Sequence, residues 1–114
     1  MNLPPLQPLG ANVTATSQLE PAAMVLAAHA GFKSVINNRP DHEGGAEQPT
    51  SASIEAAAAA AGLSYAHLPV APGYQSPEEI TRFRELLGSM PKPILVFCRT
   101  GTRSGKLFQA ATAA

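Results

Sequence analysis

The chain has 114 residues, 14% of them charged, and a formal net charge of zero, which together predict one soluble domain spanning residues 1–114. Zero net charge disfavours a general role in binding nucleic acid or acidic membranes, because both functions usually need a basic excess. One cysteine leaves no partner for an internal disulfide, and residues 1–11 lack the basic patch and apolar run of a signal peptide. A cytoplasmic protein is therefore expected.

Apolar residues recur with strand and helix spacing in alternating segments of the chain, separated by prolines, glycines and hydroxyl residues that begin or end helices. The predicted elements are an irregular lead-in at 1–11, an edge strand at 12–16, a helix at 22–30, a strand at 32–37, a helix capped by Ser51 or Ser53 that runs to 61, a strand at 63–70, a helix at 77–87, a strand at 94–97 and a helix from 104. This alternation predicts a three-layer α/β fold, with a mainly parallel central sheet flanked by helices.

The last predicted strand leads into a loop with the sequence CRTGTRS, residues 98–104. Open α/β sheets bind ligands at the carboxyl ends of their strands. Successive backbone N–H groups in such a turn, together with the N-terminus of the next helix, form a site for an anion. Gly101 permits the tight turn, and Arg103 can direct two N–H groups at one oxyanion.

Cys98 begins this loop, among groups that stabilise a negative charge. A thiol in such surroundings loses its proton more readily than free cysteine, so we expect Cys98 to be a nucleophile and Arg103 to be the second catalytic residue. A lone cysteine after an apolar strand is also common as a small core residue, but the glycine and arginine that follow it favour the functional interpretation. The predicted anion-binding residues are Arg99, Thr100, Gly101, Thr102 and Ser104.

Two residues that follow the strand at 32–37 are candidates for the edge of the cleft. Asp41 is a candidate general acid, and the favoured alternative is a turn-capping role after Pro40. Arg39 is a candidate for the cleft border, and the favoured alternative is a solvated loop charge. The three histidines are not spaced as metal ligands and there is no second cysteine, so neither a metal nor another cofactor is expected.

Three segments, 31–41, 65–70 and 95–104, resemble DUF442, a small bacterial phosphatase-like domain that is also found fused to metallo-β-lactamase-like proteins of the persulfide dioxygenase type. The loop at 98–103 is also similar to the rhodanese active loop, Cys-x4-Arg. The DUF442 resemblance implies the fold of dual-specificity cysteine phosphatases. It also implies a link to sulfur metabolism and a persulfide dioxygenase-type partner, because members are described as phosphatase-like or as sulfurtransferases.

Two reactions fit these residues. Cysteine phosphatases carry His-Cys-x5-Arg, whereas here Phe97 replaces the histidine, the loop is one residue shorter, and no acid follows the strand at 63–70. Sulfur transfer from thiosulfate or a persulfide to Cys98 needs no strong general acid, because the leaving group is a weak base. These departures favour a sulfurtransferase that acts through a Cys98 persulfide.

The alternative is a cysteine-dependent phosphatase that acts on small phosphorylated substrates through a phosphocysteine. A module that only binds an anion is a third interpretation. In every case the expected ligand is a small anion: thiosulfate, a persulfide or a phosphate ester.

Overall fold

The computed structural model describes residues 2–113. Its helices and strands are β1 (Gln7–Gly10), β2 (Val13–Thr16), α1 (Ala23–His29), β3 (Ser34–Asn37), α2 (Ser51–Ala60), β4 (Ser64–His67), α3 (Pro77–Ser89), β5 (Ile94–Phe97) and α4 (Thr102–Thr112). A short 3-10 helix, Gly45–Glu47, lies between β3 and α2. Across these described residues, no helix is long and apolar enough to cross a membrane.

The strands form one sheet in the order β1-β2-β5-β3-β4. β1 is antiparallel to β2, and the other neighbours are parallel. The last residues of four strands lie in register: Thr16, Phe97, Asn37 and His67. The segments that follow these strands therefore meet at one edge of the sheet, and Cys98 follows the central strand of that edge.

Side chains of β5 alternate between two apolar layers. Ile94 and Val96 pack with α3 and α4, whereas Leu95 and Phe97 pack with α1 and α2. All four are fully buried, which explains an unbroken apolar run in a parallel strand covered on both faces. The predicted three-layer α/β fold is confirmed.

The N-terminal predictions are partly wrong. Residues 7–10, inside the predicted irregular lead-in, form β1, and β2 is therefore an inner strand rather than an edge strand. β1 is largely exposed and contains Pro8. A proline is tolerated in an edge strand because it cannot donate to the ladder. The exposed strand therefore lacks the apolar alternation from which strands are predicted.

Two helix starts differ from the predicted ones. Thr50, rather than Ser51 or Ser53, caps α2, because its Oγ1 accepts a hydrogen bond from the Ser53 N–H at 3.2 Å. α4 begins at Thr102, two residues earlier than predicted, because Gly101 takes a left-handed φ of 93° and turns the chain directly into the helix. The loop between β5 and α4 is therefore very short.

Candidate active site

Cys98 directly follows β5 and is 1% exposed. Its Sγ accepts a hydrogen bond from the backbone N–H of Gly101 at 3.0 Å. An ionised acceptor binds an N–H donor more strongly than a neutral one does, so this contact suits a thiolate. The cavities at the loop are lined by neighbours of Cys98 rather than by Cys98 itself. The sulfur thus lies beneath the loop surface, within the turn that was predicted to bind an anion.

The turn depends on glycine at position 101 for two reasons. Its φ of 93° lies in the left-handed region, where a Cβ is unfavourable. A Cβ at this position would also lie 3.3 Å from the carbonyl oxygen of Thr16, at the end of β2. The left-handed φ and the close approach of the loop to β2 therefore both disfavour a larger residue at the position whose N–H binds the sulfur.

Arg103 is 8% exposed and its guanidinium is directed at another side chain of the same protein. Its Nη1 donates to Oε2 of Glu43 at 3.0 Å, and its Nη2 donates to Oε1 of the same residue at 3.1 Å. Nη1 also donates to the carbonyl oxygen of Val70 at 3.0 Å. The forked guanidinium that was predicted to hold a substrate oxyanion therefore already holds a carboxylate.

Arg39 binds the same carboxylate. Its Nε donates to Oε1 of Glu43 at 2.8 Å, and its Nη1 donates to Gln18 at 3.1 Å. The interpretation of Arg39 as a solvated loop charge is wrong, because the residue is 8% exposed. It borders the cleft, next to Arg103. A buried guanidinium needs a carboxylate partner, and that partner is supplied by the loop that follows β3.

Glu43 is the residue of the candidate site that the sequence analysis does not predict. Its side chain is 22% exposed. Hydrogen bonds from Arg103 lower the pKa of Glu43, partial burial opposes that shift, and the hydrogen bond from Arg39 lowers it further. Glu43 is therefore ionised at neutral pH. The only signal in the sequence is the spacing of Arg39 and Glu43 by four residues, which by itself is common.

Backbone and side-chain contacts at the ends of β3 and β4 hold Arg39 in place. Its N–H donates to Oδ1 of Asn37 at 2.9 Å, and Nε2 of His67 donates to its carbonyl oxygen at 2.8 Å. His67 thus has a structural role. A Cβ on Gly44 would lie 2.7 Å from Nη2 of Arg39. Glycine at 44 therefore makes room for the guanidinium.

Two predicted site residues have structural partners. The Ser104 hydroxyl is fully buried and donates to Oδ1 of Asn38 at 2.8 Å, so it ties α4 to the end of β3, a role absent from the sequence prediction. Oδ1 of Asp41 accepts a hydrogen bond from the Ser51 N–H at 2.8 Å. This contact binds the first N–H of α2, ten residues further along the chain, and is not the local turn capping that was expected after Pro40.

Two cavities flank the loop. One, of about 190 Å³, is here called the Lys106 cavity, and its lining comprises Pro72, Gly73, Gln75, Arg99, Thr100, Thr102, Arg103 and Lys106. The other, of about 460 Å³, is here called the Glu43 cavity, and its lining comprises Arg39, Glu43, Gly44, Pro72, Arg99 and Arg103. Within residues 2–113, no three His, Cys, Asp or Glu side chains are grouped to hold a metal ion.

A cysteine after the central parallel strand, followed by an arginine-bearing turn that opens a helix, defines a cysteine-phosphatase-like α/β domain. Residues 6–114 match the model of the family described as "Beta-lactamase hydrolase-like protein, phosphatase-like domain". The chain belongs to this family, and the DUF442 resemblance is thereby confirmed.

Similar proteins agree with this assignment. The chain is 36% identical over 78 residues to the beta-lactamase hydrolase-like protein of Agrobacterium fabrum, which covers 68% of this chain and 18% of that protein. It thus spans about a fifth of the length of the curated relatives that it matches. A solved structure of a candidate phosphatase from Neisseria meningitidis superposes with a TM-score of 0.82 at 34% identity, and the match covers 90% of this chain and 72% of that one.

A more distantly related enzyme has the same fold. The catalytic core of the SIW14 phosphatase of S. cerevisiae has a TM-score of 0.70 at 17% identity, covering 94% of this chain and 65% of that one. At this identity the likeness shows the fold alone. The family description and the Neisseria meningitidis structure support the phosphatase alternative, and neither supports the sulfurtransferase that the short loop favoured.

Proposed function

We propose that this domain is a cysteine-dependent phosphatase that hydrolyses small phosphorylated substrates through a phosphocysteine on Cys98. One observation carries the proposal: the Gly101 N–H lies 3.0 Å from Sγ of Cys98, in a turn that leads directly to Arg103 in the first turn of α4. Membership in a phosphatase-like family and the 34% identity to a candidate phosphatase support the same reaction class.

In the proposed reaction the Cys98 thiolate attacks phosphorus. The bond from phosphorus to the leaving oxygen breaks, and its electron pair stays on that oxygen. Backbone N–H groups of residues 98–103 and the N-terminus of α4 stabilise the charge on the phosphoryl oxygens. Water then attacks the phosphocysteine, which releases inorganic phosphate and restores the thiolate.

Arg103 retains donors for a phosphoryl group even while it binds Glu43. A guanidinium has five N–H donors. Three hydrogen bonds from Arg103 are made to Glu43 and Val70. For residues 2–113, its Nε–H and one Nη2–H have no protein partner, so they are the donors proposed to contact substrate. In this arrangement Glu43 and Val70 position the guanidinium, and the substrate takes the donors that remain.

Sulfur transfer is the second candidate function. Only four residues separate Cys98 from Arg103, and Phe97 is fully buried in the apolar layer beside α1 and α2. Both features are departures from the cysteine phosphatase pattern. In this reaction the thiolate would attack the outer sulfur of thiosulfate, the S–S bond would break, and sulfite would leave with the electron pair.

One pair of assays separates the candidates. The purified domain and its Cys98→Ser variant are incubated with p-nitrophenyl phosphate, and separately with thiosulfate plus cyanide. Release of phosphate by the parent chain and its loss in the variant is the result that the phosphatase proposal predicts. Cys98-dependent thiocyanate formation without phosphate release would replace it by sulfur transfer. Absence of both products would leave a module that binds anions.

A further inference from the structure

We infer that the substrate is a phosphoanhydride whose leaving group is itself a phosphate, held in the Lys106 cavity by Arg99 and Lys106, rather than an alkyl phosphate ester. The inference rests on the proposed phosphatase function and names its substrate class. It is drawn from two independent features: the carboxylate of Glu43 is occupied by guanidinium groups, and Arg99 and Lys106 make no ion pair within residues 2–113.

The first feature concerns the proton that a poor leaving group needs. Both oxygens of Glu43 accept hydrogen bonds from guanidinium N–H groups, at 2.8–3.1 Å. A carboxylate in this position is ionised and has no proton to give. Asp41 accepts a hydrogen bond from the N-terminus of α2. Among the described residues that line the two cavities, Glu43 is the one carboxylic acid, and neither His42 nor Tyr74 lines them.

The site therefore favours leaving groups that depart without protonation. An alkoxide is about as basic as hydroxide, because alcohols and water are both very weak acids, and its departure needs a general acid. A phosphate monoester has a second pKa of about 6, so a phosphate group departs as a stable anion. A general acid contributes roughly 10²–10⁴-fold to the rate, which sets the size of the expected preference.

The second feature is the distribution of charge around the loop. Four of the eight Lys and Arg residues of the chain line the two cavities, compared with one of the eight Asp and Glu residues. Arg39 and Arg103 share that carboxylate. Arg99 and Lys106 are exposed and make no ion pair within residues 2–113. They line the Lys106 cavity, whose volume of about 190 Å³ exceeds that of several water molecules.

In the inferred reaction, the terminal phosphoryl group is transferred to Cys98 and the rest of the phosphoanhydride leaves as a phosphate. The Cys98 thiolate attacks the terminal phosphorus, and the bond between that phosphorus and the bridging oxygen breaks. The electron pair stays on the bridging oxygen, and the shortened phosphate leaves as an anion into the Lys106 cavity. Water hydrolyses the phosphocysteine to inorganic phosphate and regenerates the thiolate. No proton has to be delivered to the leaving group.

The test compares three probes by kcat/KM: inorganic triphosphate, phenyl phosphate and β-glycerophosphate, whose leaving groups are a phosphate, a phenol and an alcohol. We expect triphosphate to exceed β-glycerophosphate by at least about 100-fold, the lower end of a general acid's contribution. Lys106→Ala is expected to lower kcat/KM for triphosphate by about tenfold, the size of one charge-assisted contact, and for phenyl phosphate by less.

Lys33→Ala is the matched control, because it removes the same charge from an exposed residue just before β3, at the opposite edge of the sheet. Lys33→Ala should leave kcat/KM unchanged for both triphosphate and phenyl phosphate. Comparable rates on triphosphate and β-glycerophosphate would overturn the inference, as would an equal loss on triphosphate and phenyl phosphate in Lys106→Ala. Cys98-dependent hydrolysis of phenyl phosphate without cleavage of triphosphate would refute the substrate class and leave the phosphatase function standing. Absence of Cys98-dependent hydrolysis of all three probes would refute both.

Discussion

The Glu43 cavity and the Lys106 cavity lie on either side of one loop and share the side chains of Arg99 and Arg103, yet their electrostatics differ. Of the three cations that line the Glu43 cavity, Arg39 and Arg103 are 8% exposed and converge on one carboxylate. The Lys106 cavity adds Lys106, which like Arg99 is exposed, and its described lining contains no acid. Burial makes an unpaired charge costly, whereas a solvated cation needs no partner within the protein. The paired cations therefore organise the site, and the unpaired ones are available to a ligand.

The largest expected effect concerns the sulfur of Cys98, which lies beneath the loop between the two cavities. Cys98→Ser should lower kcat for phosphate release by about 10³-fold or more, as expected for removal of a nucleophile. The serine hydroxyl can still accept the Gly101 N–H, so the melting temperature should change little. Initial rates and thermal melts measure the two quantities. A variant that kept a tenth of the parent rate would exclude Cys98 as the nucleophile.

A smaller loss is expected when the shared guanidinium is replaced. Arg103→Lys keeps the charge but cannot bind Glu43 and a phosphoryl group simultaneously, so kcat/KM should fall by about 10²-fold. Arg82→Lys is the control, because Arg82 forms an exposed 3.5 Å pair with Glu85 on α3 and should leave kcat/KM unchanged. Full turnover by Arg103→Lys would show that the forked geometry is unnecessary.

Removal of the carboxylate from the Glu43 cavity tests whether burial makes the pairing important. Glu43→Gln should lower the free energy of unfolding by about 1–3 kcal/mol, because charge-assisted hydrogen bonds to two buried guanidinium groups are weakened. Glu85→Gln removes an acid from a pair that is more than half exposed, and its cost should be below about 1 kcal/mol. Urea denaturation at pH 7 measures both. Equal costs for the two variants would contradict the distinction between paired and solvated charges.

The loss of stability in Glu43→Gln should depend on pH. The pKa of Glu43 is lowered in the folded protein, first by hydrogen bonds from Arg103. Its stabilising contribution is therefore present above the ordinary glutamate pKa of about 4.3 and is lost as the pH falls through the lower, folded value. The difference in unfolding free energy between the parent chain and Glu43→Gln should be constant from pH 7 to about 5 and shrink below about 4. If this difference in unfolding free energy grew as the pH fell, the ionised form of Glu43 would not be the stabilising one.

The smallest effect concerns the turn that separates the cavities. Gly101→Ala should cost about 1–2 kcal/mol from its left-handed φ, plus the cost of a Cβ 3.3 Å from the Thr16 carbonyl oxygen. Gly62→Ala is matched, since Gly62 has a φ of 81° and no atom within 4 Å of the added Cβ. Unfolding free energies should therefore show a larger loss at 101 than at 62. Equal losses would mean that the contact with β2 is unimportant.

The sequence predicts those parts of the molecule that short-range patterns determine. β5 has the predicted bounds, because four consecutive apolar residues are covered on both faces. α3 begins as predicted, because Ser76 and Glu79 form a capping box before an apolar stripe. The loop at 98–103 is recognisable because its glycine, arginine and cysteine are close together in the chain. The same local spacing identifies Cys98, Gly101 and Arg103 as one group.

Features that depend on distant contacts are not predictable in this way. Glu43 and Arg103 are 60 residues apart, and only the register of β3, β4 and β5 brings them together. Arg39 resembles a solvated charge in the sequence, because its burial depends on a carboxylate and a glycine, Gly44, that the fold places against it. β1 is missed because an exposed strand with a proline lacks apolar alternation. The choice between phosphate and sulfur chemistry likewise requires more than the length of the loop.

The most direct test is to trap the covalent intermediate on Cys98. The domain is quenched in acid during turnover of p-nitrophenyl phosphate, and the peptide that contains Cys98 is analysed by mass spectrometry. If Cys98 forms a phosphocysteine, this peptide gains the mass of one phosphoryl group, and the gain disappears when the substrate is consumed. An unmodified Cys98 peptide during active phosphate release, or the phosphoryl group on a different residue, would contradict it.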